Sequence, residues 1–359
     1  MNIRDSALLI LFAIAICLPG AAHLAGLRQA TADSEQRPLS NPPMLLVDDW
    51  EKVVPGLEAY LADHMGLRPW IVTAGHRLRY AMKAPVTHDV VLGKQGWLFY
   101  DGADEIEQWL GLRPLPAAQI DAIVIELARL DRLARAHGAK FVFVIAPNKS
   151  TVYPEYLPDG LHPIGPTPAD QLIAALARRP EISVVDGRPL IARSKSWGQL
   201  YFRTDTHWNE LGAFIVLQPA LGRAGIDAGR LRPIDDYRIE PGIRQGDLQM
   251  FLNVGLQPER DVPTLVARFD RQGLSWKHYD GDAITSDIIT RTPATGTLLV
   301  IGDSFSILWL RVLSDIFGRV VRVTKPTFKH DELIEANKPD VILLELVERE
   351  IRYWWPAAG

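Results

Sequence analysis

The stretch TLLVIGDSFS, residues 297–306, decides the fold prediction. Residues 298–301 are all aliphatic, which is typical of a strand buried on both faces of a sheet. A serine placed directly after such a strand and before a helix stands at the carboxyl end of the sheet, where α/β proteins place their sites. Ser304 is therefore a candidate nucleophile. The alternative is a helix-capping turn, in which Asp303 or Ser304 only satisfies N–H groups of the helix that follows.

Outward from this stretch, buried strands alternate with amphipathic helices. A helix that opens at Pro116 and stops at Gly138 leads into the strand FVFVIA, residues 141–146. Further strands are predicted at ISVVD, RVVRV and VILLELV. Further helices are predicted near residues 169–178 and from Asn209 and Ile307. This alternation predicts an α/β fold with a mostly parallel sheet and helices on both faces. The segment VVLGKQGWLFYDG, residues 90–102, predicts a hairpin.

Composition excludes several classes of protein. The 359 residues are 47% apolar and 23% charged, with a formal net charge of −4, which is typical of a globular chain and disfavours a nucleic-acid partner. The one cysteine, Cys17, lies in the most apolar stretch. A disulfide framework, a cysteine-ligated metal and a catalytic cysteine are therefore excluded.

The N-terminus carries a membrane-insertion signal, because residues 7–27 have no formal charge and are largely aliphatic. A cleavage site after Ala22 would make it a signal peptide, whereas the apolar continuation to Leu27 favours an uncleaved anchor. We assign residues 1–27 to a signal anchor or signal peptide and residues 28–44, which include RPLSNPP, to a polar linker. Residues 45–359 form the folded domain, of which 45–85 are a helical N-terminal part.

The segment YFRTDTHWNELGAF, residues 201–214, supplies a candidate base. Asp205 and His207 are two residues apart, which in extended chain places both side chains on one side. Asp205 can then orient the imidazole while His207 takes the proton of the Ser304 hydroxyl. The competing interpretations are a metal pair and a structural histidine beside a cap. The other histidines are scattered without ligand spacing, so we expect no metal, and nothing in the sequence calls for a cofactor.

Five ordered blocks carry a family resemblance: VLGKQGWLFY, PNKSTVYPEYLP, RTDTHWNELGA, IGDSFS and PDVILLELVERE. Together they resemble the SGNH-hydrolase-like domain of the AlgJ and AlgX alginate O-acetyltransferases, over roughly residues 45–352. The resemblance implies an SGNH-hydrolase-like, flavodoxin-like fold and a triad of Asp205, His207 and Ser304. The motif order is permuted relative to the wider superfamily, which has the serine block first. Asp303 replaces the threonine of the acetyltransferase block, so the polymer is left unnamed.

Four further residues are candidates for the site. Lys149 resembles a family position and is expected to meet an anionic sugar, against the default of a solvated charge. Trp208 is expected to present its face to a sugar ring, although aromatic residues beside aliphatic strands are commonly core. Asn148 and Asn209 are candidate oxyanion donors, with a turn residue and a helix cap as the alternatives.

The resemblance implies a polysaccharide O-acetyltransferase that works through an acyl-Ser304 intermediate. Its acceptor would be alginate or a similar exopolysaccharide, and its acetyl donor a multispanning membrane acyltransferase. The expected location is the periplasm, with the N-terminus anchored in the inner membrane. The alternatives are a carbohydrate acetyl esterase with the same triad, and a non-catalytic polysaccharide-binding accessory protein.

Overall fold

The computed structural model describes residues 3–27, 39–42, 50–227, 229–280, 285–292, 294–324, 330–353 and 355. Contacts divide the chain into two compact units: Met1–Thr87 with Gln249–Leu256, and His88–Leu248 with Gln257–Gly359. The predicted polar linker, residues 28–44, lies outside the described residues except for 39–42.

Where the structure describes it, the first unit contains three long helices, α1 (Ile3–Leu24), α2 (Trp50–His64) and α3 (Arg68–Ala81). Helices α2 and α3 lie within residues 45–85, the part of the chain predicted to be helical. Within α1, Asp5–His23 has a mean hydropathy of 2.1 and is long and apolar enough to cross a membrane, a test that a signal sequence also meets.

The second unit carries the strands and the remaining helices. Its strands are β1 (Val90–Leu92), β2 (Leu98–Tyr100), β3 (Lys140–Ala146), β4 (Val184–Asp186), β5 (Tyr237–Arg244), β6 (Glu259–Ala267), β7 (Leu274–Asp280), β8 (Thr285–Arg291), β9 (Thr297–Gly302), β10 (Arg319–Thr324) and β11 (Val341–Val347). Its helices are α4 (Glu105–Trp109), α5 (Ala117–Ala136), α6 (Lys149–Val152), α7 (Pro168–Leu176), α8 (Gly187–Arg193), α9 (Glu210–Arg223), α10 (Asp247–Leu252, of which the first two residues belong to this unit), α11 (Leu310–Ser314) and α12 (His330–Asn337).

A seven-stranded sheet in the order β4-β3-β11-β9-β10-β8-β7 forms the centre of this unit. The five neighbouring strands β4, β3, β11, β9 and β10 run parallel to one another. Strand β8 pairs antiparallel with β10, and β7 pairs antiparallel with β8 at the edge of the sheet. The sheet is thus mixed, and the flavodoxin-like prediction needs correction. In a flavodoxin-like sheet the last parallel strand lies at the edge, but here β11 lies between β3 and β9. Alternation of helices and strands along the chain carries no information about this order.

Helices cover both faces of the sheet, as predicted. Along β3, Val142, Val144 and Ala146 belong to the core cluster that includes α9, whereas Phe141, Phe143 and Ile145 belong to the cluster that includes α5 and α7. Because side chains alternate between the faces of a strand, every residue of FVFVIA is buried. This explains why the strand is a continuous apolar run.

Two antiparallel pairs of the described strands lie outside the seven-stranded sheet. The predicted hairpin at residues 90–102 is confirmed: β1 and β2 pair antiparallel around a 3₁₀ turn at Lys94–Gly96. Strands β5 and β6 form a separate antiparallel pair. We did not predict β5 to β8, because their polar and partly exposed residues lack a buried apolar run.

Candidate active site

The parallel register brings several chain turns to one edge of the sheet. Gly302, the last residue of β9, pairs with Glu345 of β11 and with Thr324 of β10. Strand β3 ends at Ala146, opposite Val347 of β11. The segments that follow β9, β3 and β11 therefore emerge together, at the carboxyl end expected of a site in this class of fold.

The turn after β9 is fixed by Asp303, whose carboxylate accepts hydrogen bonds from the Phe305 N–H (2.9 Å) and the Val347 N–H (2.7 Å). Gly302 is needed beside it, because a Cβ there would lie 2.8 Å from a carboxyl oxygen of the buried Glu345. Burial, followed by the charge of Asp303, raises the pKa of Glu345 well above its usual range. Asp303 is therefore the N-cap of the 3₁₀ helix Ser304–Trp309, which is the capping turn that the alternative interpretation predicted. Ser304 is the first residue of this helix.

Asp205, His207 and Ser304 form a continuous chain of hydrogen bonds. The Ser304 Oγ lies 2.7 Å from His207 Nε2, and His207 Nδ1 lies 2.6 Å from Asp205 Oδ1. The His207 backbone N–H also donates to the same carboxylate oxygen at 3.0 Å. The Phe305 ring lies 4.8 Å from the imidazole centroid and supports its orientation. This is the geometry in which a histidine can take a serine proton while a carboxylate orients it.

Asp205 is completely buried yet well supplied with donors. Arg244 contributes Nε at 3.0 Å and Nη2 at 2.9 Å to Oδ2, and the Asp247 N–H lies 3.4 Å from the same atom. Burial raises the pKa of Asp205, but the hydrogen bond and charge of His207 and the charge of Arg244 outweigh it, so the pKa lies well below its usual range. The carboxylate therefore stays ionised at neutral pH and can stabilise an imidazolium.

Lys149 was expected to meet an anionic sugar. The structure instead places it in the interior, where only 2% of its surface is exposed. Its ammonium group donates to the carbonyls of Phe202 (3.1 Å), Arg203 (3.1 Å) and Asp205 (2.6 Å). Burial lowers its pKa to about 8. Lys149 thus holds the backbone of the segment that carries the Asp205–His207 pair, and its ammonium group donates to three backbone carbonyls.

Trp208 and Asn209 also lie elsewhere than the predicted substrate and oxyanion positions. Trp208 is fully buried, and its indole N–H donates to the Phe305 carbonyl at 3.0 Å. The Asn209 Oδ1 accepts from Leu211 and Gly212 N–H groups at 3.1 Å, which caps α9, while its Nδ2 donates to the Gln199 carbonyl at 2.6 Å. Packing and capping, the alternatives stated above, therefore account for both residues.

Asn148 belongs to a buried network beside the site. Its N–H donates to Glu348 (2.7 Å), and its Oδ1 accepts from Arg349 (3.2 Å). Arg349 also pairs with Glu105 at 3.2 Å and lies 5.3 Å from the Phe305 ring centroid. Burial raises the pKa of Glu348 to about 7. The network fixes the carbonyl oxygen of the Asn148 side chain, so the amide nitrogen remains the atom with which Asn148 could serve as an oxyanion donor.

Sequence reasoning missed Arg244 and Asp247. Both lie in the segment IRQGD, residues 243–247, in which Arg244 ends β5 and Asp247 begins α10, and which has no motif spacing. Among the described residues, Asp205, His207 and Asp247 are the one group of three with donor atoms close enough to share a metal ion. The Arg244 guanidinium already occupies one Asp205 oxygen, and its positive charge opposes a metal cation there.

Comparisons with known proteins agree with this architecture. "Probable alginate O-acetylase AlgJ" of Pseudomonas putida is 35% identical over 136 residues, covering 36% of this chain and 32% of the relative. The protein of the same name from Pseudomonas aeruginosa is 33% identical over 137 residues, covering 36% and 31%. The chain thus spans about a third of the length of the curated relatives it matches.

A crystal structure of a DHHW family protein from Eubacterium siraeum shares the fold, with a TM-score of 0.51 and 15% identity, covering 75% of this chain and 96% of that one. Residues 90–325, about two thirds of the chain, match the family described as SGNH hydrolase-like domain, acetyltransferase AlgX. These residues include Asp205, His207 and Ser304. The chain therefore belongs to the AlgX family of SGNH-hydrolase-like acetyltransferase domains.

Proposed function

We propose that this protein is an O-acetyltransferase that adds acetyl groups to hydroxyls of an exported polysaccharide through an acyl-Ser304 intermediate. The observation that carries the proposal is the unbroken hydrogen-bond chain from Asp205 through His207 to Ser304, in a member of an acetyltransferase family. The names of the curated AlgJ relatives support a polysaccharide as the acceptor.

In the first half-reaction the Ser304 oxygen attacks the carbonyl carbon of an acetyl ester donor while His207 Nε2 takes the hydroxyl proton. The C–O bond to the donor alcohol then breaks, and the alcohol leaves with the proton from His207. Ser304 is left as an acetyl ester, and the imidazole is neutral again. The buried, ionised Asp205 stabilises the imidazolium that exists between these two proton transfers.

In the second half-reaction a polysaccharide hydroxyl takes the place of the departed alcohol. His207 removes its proton, the sugar oxygen attacks the acetyl carbon, and the bond to the Ser304 oxygen breaks as His207 returns the proton to Ser304. The same steps with water in place of the sugar would make the protein an esterase. The outcome depends on whether sugar or water reaches the acyl-enzyme.

The negative charge that develops on the acetyl oxygen needs donors. Ser304 is the first residue of its 3₁₀ helix, so its N–H has no acceptor within that helix. We assign this N–H as one oxyanion donor and the Asn148 amide nitrogen as the second. The buried network around Asn148 would hold that nitrogen in place.

The N-terminal helix α1 supports a membrane location, and we propose that it remains attached as an anchor with the body in the periplasm. An anchored enzyme stays beside a membrane acetyl donor, proposed as a multispanning acyltransferase, and beside the emerging polymer. High local acceptor concentration then favours transfer over hydrolysis. A C-terminal alkaline phosphatase fusion should be active and stay in the membrane fraction after a high-salt wash, whereas a soluble product starting at His23 would show cleavage.

The function is tested in cells of the source organism by replacing the gene with a Ser304→Ala version. Polymer synthesis should continue while the acetyl content of the purified polysaccharide falls, as measured by NMR. A Ser314→Ala variant, which alters a buried serine outside the triad whose hydroxyl donates to the Arg311 carbonyl at 2.7 Å, controls for loss of a serine hydroxyl and should retain acetylation. A rise in acetyl content in the Ser304→Ala strain would identify an esterase and refute transfer.

A further inference from the structure

We propose that Arg244 and Asp247 are positioning residues that tune, with opposite sign, how readily His207 takes up the serine proton. The inference rests on the proposed function of His207 as the base. Arg244 is the last residue of β5 and Asp247 the first residue of α10, and neither contacts Ser304. They act on the far side of the imidazole, through its Nδ1 atom and the carboxylate that it faces.

Arg244 acts through Asp205. Its Nε and Nη2 atoms both bind Asp205 Oδ2, at 3.0 and 2.9 Å, while the other oxygen of that carboxylate faces His207. The guanidinium also lies 5.1 Å from the centroid of the Phe202 ring, in the segment that leads into the Asp205–His207 pair. Part of the negative charge that would stabilise the imidazolium is therefore neutralised by Arg244.

Asp247 is a second carboxylate facing the same imidazole. Its Oδ2 lies 3.7 Å from His207 Nδ1. It is held there by Thr206, whose N–H donates to Oδ1 at 2.7 Å and whose hydroxyl donates to Oδ2 at 2.6 Å. The Thr206 oxygen also lies 3.1 Å from His207 Nδ1 and so links the second carboxylate to the ring. Asp247 thus adds negative charge on the Nδ1 side of His207. Arg244 offsets negative charge on that same side through Asp205.

The other ionisable groups around the pair are accounted for. Lys149 faces the Asp205 carbonyl from α6, and its ammonium is fully used by three backbone oxygens. Asp303, at the end of β9, is bound by two backbone N–H groups. Arg203, which precedes His207 by four residues in the sequence, is paired with Glu259 at 3.2 Å. Arg244 and Asp247 are therefore the charged side chains that contact the His207–Asp205 pair on its Nδ1 side within the described structure.

The two charges have opposite consequences for His207. Removing Arg244 leaves Asp205 more negative, which stabilises the imidazolium and moves the titration midpoint of His207 upward. Removing the charge of Asp247 destabilises the imidazolium and moves the midpoint downward. Each shift is about one pH unit or somewhat less, because solvent screens both charges: 44% of the Arg244 side chain and 29% of the Asp247 side chain are exposed.

The experiment measures the titration midpoint of His207 by NMR of the histidine-labelled full chain in detergent, with the His207 signal assigned from a His207→Gln variant. Arg244→Gln should raise the midpoint and Asp247→Asn should lower it, each by about 0.5 to 1 pH unit. Arg244→Lys keeps the charge and should lie closer to wild type than Arg244→Gln. The acidic limb of the pH profile of kcat/KM for p-nitrophenyl acetate should move in the same directions.

Arg203→Gln is the matched control, because Arg203 is 42% exposed and paired with a buried carboxylate that does not contact His207. It should shift the midpoint by less than half as much as Arg244→Gln. Shifts of the same sign in Arg244→Gln and Asp247→Asn, or no shift in either, would overturn the inference. The proposed function fails separately, if Ser304→Ala hydrolyses the ester as fast as wild type, because the NMR midpoint does not depend on turnover.

Discussion

Replacing Lys149 by methionine tests whether this residue holds the Asp205 segment or contacts substrate. Lys149→Met keeps the length and volume of the side chain but removes the three hydrogen bonds to the carbonyls of Phe202, Arg203 and Asp205. A net hydrogen bond from a charged group contributes about 1.5 to 3 kcal/mol, so three contribute roughly 4 to 9 kcal/mol. Burial of the ammonium, which lowers its pKa from 10.5 to about 8, opposes this by about 3 kcal/mol.

The net loss of unfolding free energy should therefore be about 1 to 6 kcal/mol, measured by urea denaturation. Because the segment also positions the triad carboxylate, kcat/KM for p-nitrophenyl acetate should fall at least about tenfold. Lys195→Met is the matched control: Lys195 forms an ion pair with Glu155 at 2.8 Å and is one-third exposed, so its loss should cost no more than about 1 kcal/mol. Wild-type stability and ester hydrolysis in Lys149→Met, with a defect confined to an anionic polysaccharide acceptor, would refute the positioning account and restore the substrate contact.

Further predictions concern the remaining site residues. Asp205→Asn should lower kcat for ester hydrolysis roughly 10²- to 10⁴-fold with the fold intact by circular dichroism, because the imidazole loses its orienting charge; near-normal turnover would contradict this. Asn209→Ala should cost about 1 to 2 kcal/mol of unfolding free energy through loss of the cap on α9, while KM for the acceptor stays unchanged; a raised KM would instead favour substrate contact. Trp208→Phe should cost about 1 to 3 kcal/mol because the buried Phe305 carbonyl loses its donor, and equal stability would show that the bond is dispensable. Glu348 has its pKa raised from 4.5 to about 7, so its stabilising contribution is present below pH 4.5 and is lost as pH rises through 7; Glu348→Gln should flatten the stability profile over that interval, and an unchanged slope would contradict the assignment.

The fold could be predicted from sequence wherever a strand is buried on both faces. FVFVIA and TLLVIG became β3 and β9, and the glycine-rich turn at residues 93–96 became the predicted hairpin. The position of β11 between β3 and β9 could not be predicted, because parallel pairing is set by long-range packing that leaves no local pattern. The antiparallel pair β7 and β8 was missed because its edge position allows polar and exposed residues.

The candidate site was predictable only in part. Asp205 and His207 are two residues apart and Ser304 follows a buried strand, so their meeting could be inferred from residue types and position. Lys149 was expected to meet an anionic sugar, with a solvated charge as the alternative, because lysine rarely is buried without partners. Its three backbone acceptors are visible only in three dimensions. Arg244 ends β5 and Asp247 begins α10, neither of which was predicted, and their contact with the Asp205–His207 pair depends on how the chain folds back between these two elements.

The most direct test of acetyl transfer through Ser304 follows a labelled acetyl group. The full-length protein is mixed with isotopically labelled p-nitrophenyl acetate, quenched, digested and analysed by mass spectrometry, before and after addition of polysaccharide fragments carrying free hydroxyls. We predict label on the peptide that contains Ser304, absence of label in Ser304→Ala, and movement of the label from Ser304 to the sugar when the fragments are added. Acetylated sugar formed without label ever reaching Ser304, or label that leaves Ser304 only as acetate in the presence of the acceptor, would contradict the account.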